Sequence, residues 1–280
     1  MKKFSNKRVV ITGAGSGLGR TLAVDFAKQG WRVGVSDILM ERAEETVDMV
    51  NAKGGRGMAF QCDVAQWDQV SSMAQAVVSA WKGVDIVVNN AGIVSVGVME
   101  KIPLEDWQWI IGINLMGVIH GCKAFVPIFK KQGAGHIVNI ASSAGIASLS
   151  EMAPYNVTKA GVISLSETLK MELFGDNIGV TVVCPTFFKT NLMDQARYTD
   201  PSQLDRAAAL FDKSKTTAED VSRHIIRCIE KNRLYVLTQI DARLTWKMKR
   251  YFPELFFRLM GFLFSRGYID KFLGVQQEEK

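Results

Sequence analysis

Tyr155 and Lys159 stand four residues apart at the start of a helical pattern, so their side chains share one face. A free phenol titrates near pH ~10, and a neighbouring ammonium favours its ionised form. Moving that value ~3 units toward neutrality takes about 4 kcal/mol of differential interaction, which close positive charges in a water-poor site can supply. A phenol tuned this way can take a proton from an alcohol or return one to a developing alkoxide. Alone, the pair would read as an ordinary helix surface. Ser142 lies thirteen residues upstream of Tyr155, just after an apolar run at 136–141 that reads as a strand. Sites on parallel sheets form at the carboxyl ends of strands, so this hydroxyl can reach the same cavity. Ser143 is adjacent, and the spacing to Tyr155 and Asn139 favours Ser142, with Ser143 expected to face away.

A second constellation is built from glycine. Thr12-Gly13-Ala14-Gly15-Ser16-Gly17-Leu18-Gly19 follows an apolar run and opens a helical one. Glycines allow a tight turn and close approach to a ligand, and the free N–H groups of the helix start can hold a pyrophosphate. Gly13, Gly17 and Gly19 are spaced Gly-x3-Gly-x-Gly. Asp37 closes the next strand about twenty residues on, where a carboxylate accepts from the adenine-ribose hydroxyls and repels a 2′-phosphate. The nearby Ser16 and Ile38 offer no cation, so NAD(H) is favoured over NADP(H). A simple helix N-cap role for Asp37 is compatible with this but less specific.

These groups need a scaffold. Short β-branched runs at 8–12, 32–36, 57–62, 84–89, 136–141, 180–184 and 234–238 alternate with helical patterns near 17–29, 40–53, 66–82, 104–131, 154–173 and 217–232. Several runs are apolar throughout, as expected for strands covered on both faces. The expectation is an α/β fold: a single doubly wound Rossmann-type domain with a seven-stranded parallel sheet flanked by helices, over 1–239. Two segments stand outside this rhythm. Residues 186–216 form a long connection expected to act as a substrate lid, and 240–280 form a basic, aromatic C-terminal extension.

The net charge is +6, and between Arg243 and Lys271 seven Lys or Arg face only Glu254 and Asp270. The remainder is nearly neutral, which argues against nucleic-acid binding. The four cysteines, Cys62, Cys122, Cys184 and Cys228, are scattered in apolar runs and read as reduced, buried thiols, with no metal-binding spacing to the three histidines. With no cleavable leader and no run of roughly 18 to 20 apolar residues, a cytoplasmic protein is expected. The longest apolar candidate, 255–264, is interrupted by Arg258.

Residues 5 to about 238 resemble the short-chain dehydrogenase/reductase family, in its shorter branch. The resemblance rests on Thr12-Gly13-x3-Gly17-x-Gly19, Asp63-Val64, Asn89-Asn90-Ala91-Gly92, Asn114, Ser142, Tyr155-x3-Lys159, and Pro185 followed by Thr190. It implies a hydride transfer between a nicotinamide and a secondary alcohol or ketone. Tyr155 would be the acid/base, and Ser142 would hold the substrate oxygen. Lys159 would hold the nicotinamide ribose, and Asn114 a water linking Lys159 to solvent. It also implies cofactor contacts from Ser16, Leu18, Asp63, Val64, Asn90, Ala91, Gly92, Pro185 and Thr190, and a homodimer or homotetramer through 104–131 and 154–173. The family usually has glycine after the proline, whereas this chain has Thr186-Phe187-Phe188.

Phe187, Phe188, Leu192 and Met193 in the lid, with Ile93, Val94, Val96 and Val98, point to an apolar substrate, lipid-, steroid- or aromatic-like. The extension reads as a helical cover over the lid or a neighbouring subunit, with Pro253 and Gly261 breaking any long helix. Its cations and aromatics also fit peripheral membrane contact through 243–271. Competing functions are an NADPH-dependent carbonyl reductase, opposed by Asp37, and a non-catalytic NAD(H)-binding sensor or scaffold, opposed by the intact Ser142, Tyr155 and Lys159. A family epimerase or dehydratase would need a longer substrate domain.

Overall fold

The structure is a computed structural model that describes residues 4–188, 191–268 and 271. In chain order the first elements are β1 (Arg8–Thr12), α1 (Gly17–Ala27), β2 (Arg32–Asp37), α2 (Met40–Ala52), β3 (Arg56–Gln61), α3 (Trp67–Trp81) and β4 (Ile86–Asn89). A two-residue strand β5 (Ser95–Val96) precedes α4 (Leu104–Ile111), a π turn (Gly112–Met116) and α5 (Gly117–Gln132). Then come β6 (Gly135–Ile140), α6 (Ala144–Ala147), α7 (Ala153–Glu172), β7 (Ile178–Val183) and a second short strand, β8 (Arg197–Tyr198). The chain continues through α8 (Ser202–Lys213), α9 (Ala218–Glu230), β9 (Tyr235–Val236), α10 (Ile240–Tyr251) and α11 (Pro253–Ser265).

Seven strands pair in the order β3-β2-β1-β4-β6-β7-β9, every neighbour parallel. The α/β fold with a seven-stranded parallel sheet is therefore as expected. The strand order reverses between β1 and β4, which opens a crevice at their carboxyl ends. Strands β1, β4, β6 and β7 are buried along their whole length, because helices cover both faces. One core, with Phe26, Trp31 and Ile225, lies on the α1 and α9 side; the other, with Val118, Phe125 and Phe129, lies under α5.

Two buried polar arrangements lock the sheet. Asn89 donates to Asn139 (2.8 Å), which donates to Ser166 (3.0 Å), tying β4 and β6 to α7. At the opposite end Arg8 donates from Nε and Nη2 to both carboxylate oxygens of Asp85 (3.1 and 3.0 Å), and its backbone N–H adds a third bond (2.8 Å). Both residues are buried, so removing one strands the other's charge. Asp85→Ala should lower unfolding free energy by about 3–5 kcal/mol, read from urea denaturation; a loss below ~1 kcal/mol would show that water reaches Arg8.

Several expectations need correction. The 104–132 stretch is, by length and composition, apolar enough to cross a membrane, contrary to the reading that no run qualifies. It instead buries Val118, Cys122, Phe125 and Phe129 against the domain core. The lid is not a bare connection. β8 pairs in parallel with β5, and α8 follows it. Gly261 does not break the extension, since it sits inside α11. Pro253 does mark a break as expected, because α10 ends at Tyr251 and Pro253 opens α11, where a missing N–H costs nothing.

Candidate active site

β6 ends at Ile140 and delivers Ser142 just beyond the sheet edge. α7 begins at Ala153, so its first two turns carry Tyr155 and Lys159 toward the same point. Ser142 lies close enough to the Tyr155 hydroxyl to favour its ionised form slightly, and the Lys159 ammonium lies 5.6 Å from the Tyr155 ring centre. Ser142 Oγ also accepts from Ala144 N–H (3.1 Å), which fixes its rotamer. Lys159 is 3 % exposed and donates to Ile140 C=O (3.0 Å); an ammonium has three donors, so others remain for a ligand.

Burial dominates the electrostatics here. It pushes the Tyr155 phenol up to about 12, against a smaller opposite pull from the neighbouring Ser142 hydroxyl. It lowers Lys159 to about 8, against the pull of the neighbouring Cys184. Among the protein's own groups desolvation therefore dominates at Tyr155, and the expected shift toward neutrality rests on the oxidised nicotinamide's charge together with that of Lys159. The four cysteines are free and buried, and burial raises all their thiols.

Asn114 lies in the π turn between α4 and α5. Wide turns of this kind recur at functional sites because they re-aim side chains. Its Oδ1 accepts from Ile93 N–H (2.8 Å) and its Nδ2 donates to Ile93 C=O (2.9 Å). It therefore braces the segment after β4. A side chain at Gly92 would come 3.3 Å from Asn114 Oδ1 and 3.4 Å from Lys159 Nζ, so glycine keeps these two groups close.

The glycine turn fits a pyrophosphate. Gly13 has φ +60, and a Cβ there would stand 2.7 Å from Ala91 Cα. At Gly19 a Cβ would meet Gly13 C=O. Ser16 makes no side-chain cap, leaving the first N–H groups of α1, at Gly17 and Leu18, to a ligand. Asn90 Nδ2 donates to Thr12 and Gly13 C=O (2.9 and 3.0 Å), so its amide holds the turn in shape. Asp37 Oδ2 accepts from Gly15 N–H (2.9 Å) and Oδ1 from Leu39 N–H (3.2 Å), which aims the carboxylate across the turn. Asp63 is held by Ala65 N–H (2.9 Å), and Val64 C=O contacts His120 Nδ1 (2.9 Å).

Gly13, Ser16, Gly17, Leu18, Asp37, Asp63, Val64, Asn90, Ser142, Tyr155 and Lys159 border one cavity of about 570 Å³, with Ala91, Gly92 and Pro185 also in its wall. Asn114 and Gly19 do not line it. Ser143 lines the cavity too, contrary to the expectation that it faces away, and its N–H donates to Pro185 C=O (2.9 Å). Phe187 packs edge-on against Phe211 of α8 (5.6 Å), forming an apolar wall with Leu192 and Met193. Phe188 borders the cavity but is mostly committed to the core beside Leu18 and Val221. Thr190 lies outside the described residues.

Three features escaped the sequence reading. Arg42, in the first turn of α2, borders the cavity beside Asp37, contrary to the expectation of no nearby cation. Met260 and Phe264 of α11 line the cavity, so the extension helps to build the site. The lid is fastened by Arg206–Glu151 (2.8 Å) and by Arg197, which pairs with Asp106 (2.7 Å) and stacks on Trp109 (3.9 Å). None of these pairings follows a sequence period.

Comparison with known proteins agrees with this geometry. Residues 7–201 match the family model for short chain dehydrogenase. EphD of Mycobacterium tuberculosis, named a probable oxidoreductase, is 36% identical over 216 residues, covering 75% of this chain. The chain spans only 36% of that protein's length. SadH of the same organism, named a putative oxidoreductase, is 31% identical over 264 residues, covering 93% of this chain and 96% of its own. A short-chain dehydrogenase/reductase from Burkholderia phymatum, solved in complex with NAD, superposes with a TM-score of 0.84 at 32% identity, covering 89% of this chain and 94% of that one. With the glycine turn, Ser142, Tyr155 and Lys159 all in place around one crevice, the chain belongs to the short-chain dehydrogenase family.

Proposed function

We propose that the chain is an NAD(H)-dependent oxidoreductase acting on an apolar secondary alcohol or ketone. The observation that carries this reading is the meeting of Ser142, Tyr155 and Lys159 in a cavity continuous with the glycine turn. Gly13, Ser16, Gly17, Leu18 and Gly19 would hold the pyrophosphate, Asp37 the adenine ribose, and Asp63 and Val64 the adenine. Lys159 would hold the nicotinamide ribose. Pro185 and Thr190 would border the nicotinamide carboxamide. When bound, the nicotinamide supplies or accepts the hydride.

The remaining chemistry belongs to the protein. Ser142 donates to the substrate oxygen and stabilises the charge that grows there. Tyr155 gives its proton to that oxygen in ketone reduction and takes it back in alcohol oxidation. The neutral phenol favoured by burial suits the donor role directly. Oxidation needs the phenolate, which the positive charges of Lys159 and an oxidised cofactor together favour. Asn114 braces the Ile93 segment, and the wide turn around it would place a water between Lys159 and solvent.

Ile93, Val94, Leu149, Met193, Leu210 and Phe211 give the substrate end of the cavity an apolar wall, which supports a lipid-, steroid- or aromatic-like substrate. Turnover of a long-chain or polycyclic ketone should exceed that of a small polar ketone by at least ~10-fold in kcat/KM, since each buried methylene adds about 0.8 kcal/mol. Preference for the polar ketone would defeat the substrate assignment. Exposed apolar side chains on α4 and α7, among them Leu104, Val157 and Met171, support a homodimer or homotetramer through these helices. Arg42 gives the NADPH-dependent reading a physical basis, because it could meet a 2′-phosphate.

A further inference from the structure

The helix α11 is apolar on nearly every side, yet among its residues only Phe256 is buried. Leu255 is 61% exposed and Phe262 51%, with Phe257 and Leu259 also open to solvent. The outer side of α10 and the link between the helices add Leu244, Tyr251 and Phe252. A patch of this size on a folded chain marks a surface that something covers.

The charges say what covers it. Lys247, Arg250, Arg258 and Arg266 are exposed on or at the end of the same two helices, and between residues 243 and 268 only Glu254 is acidic. Arg250 lies over Trp246 (5.4 Å) and Arg266 over Phe262 (5.7 Å), so cationic heads accompany the apolar rings. A second copy of this chain, meeting the patch through a two-fold axis, would set these cations against themselves. An anionic lipid surface satisfies both features: rings enter the acyl boundary while the cations stay among the phosphates. At 13 residues α11 is about 20 Å long, too short to span a bilayer but suited to lying in its interface.

We propose that α10 and α11 dock on an anionic lipid surface and that the cavity receives its substrate from it. Met260 and Phe264 carry the second part, because they line the cavity from the same helix that presents Leu255 and Phe262 outward. Substrate delivery rests on the apolar-substrate reading above; docking does not.

The test is flotation of the full-length protein with vesicles of phosphatidylcholine alone, or of phosphatidylcholine with phosphatidylglycerol, at low and high salt. The protein floats with the anionic vesicles at low salt. The pair Arg258→Glu with Arg266→Glu cuts the bound fraction at least ~10-fold, and so does Leu255→Ser with Phe262→Ser, which leaves the charge intact. Unchanged NADH binding, followed by fluorescence, shows that the variants are folded. Failure to float, or flotation indifferent to charge reversal, overturns docking. Loss of self-association in the Leu255/Phe262 variant without any vesicle binding overturns it too, in favour of a second copy. For delivery, kcat/KM on a vesicle-held ketone rises with anionic lipid and falls in the charge-reversal pair, while turnover of a water-soluble ketone persists. A protein that floats but shows no such gain retains docking and loses delivery.

Discussion

Tyr155→Phe should lower kcat by about 10³-fold while leaving NADH affinity within ~2-fold of the parent, because general acid–base catalysis contributes roughly 10²–10⁴-fold. The ring of Tyr155 is buried and packs in one cluster with Ile93 and Val94, contacts that phenylalanine keeps. What the variant loses is the hydroxyl beside Ser142 and its proton. Binding without turnover therefore isolates the acid/base role, and retained turnover would remove Tyr155 from it. The pH dependence carries the same information with opposite signs for the two directions. Burial raises Tyr155 to about 12, so ketone reduction, which needs the neutral phenol, should stay level through neutral pH. Alcohol oxidation needs the phenolate and should climb up to about 10-fold per pH unit below the value Tyr155 takes in the cofactor complex. Lys159, lowered to about 8, loses its charge as pH rises above that value and then supports the phenolate less, bending the oxidation profile over. An oxidation profile that already falls between neutral pH and about 8, before Lys159 loses its charge, would contradict this assignment.

The sheet was legible because its central strands are apolar throughout, and burial on both faces leaves a continuous signal in sequence. Helix period and strand ends indicated where Tyr155, Lys159 and Ser142 stand, while their grouping into one site came from the family resemblance. What sequence could not carry was pairing across distance. The β5–β8 contact joins Ser95 to Arg197 with only two residues a side, too short for any alternation. The Arg197 stack on Trp109 belongs to the same class. Arg42 had a partial signal: helix α2 starts at Met40, so its first turn folds back toward Asp37. The direction of the Tyr155 shift is hidden from sequence because a side chain's desolvation depends on the whole cavity, whereas the Lys159 charge is visible from spacing alone. Gly261 looks like a breaker in sequence, yet one glycine costs a helix only about 1 kcal/mol.

Asp37 decides the second large effect. The parent protein should bind NADH at least ~100-fold more tightly than NADPH, a difference of about 2.7 kcal/mol. The carboxylate is 8 % exposed and held from two sides, by Gly15 N–H and Leu39 N–H, so it cannot swing away from a 2′-phosphate. Asp37→Asn keeps the shape and removes the charge. It should weaken NADH by about 10-fold, through loss of a charge-assisted bond to the ribose of about 1.5 kcal/mol. NADPH should strengthen at the same time, because repulsion disappears while Arg42 remains beside the site. Adding Arg42→Ala to that variant should cancel the NADPH gain and leave NADH unchanged, which separates the cation's part from the carboxylate's. Fluorescence titration of all three proteins with both cofactors reads every one of these numbers. A parent that prefers NADPH would reverse the roles, making Arg42 the selector and Asp37 a support for the glycine turn through Gly15.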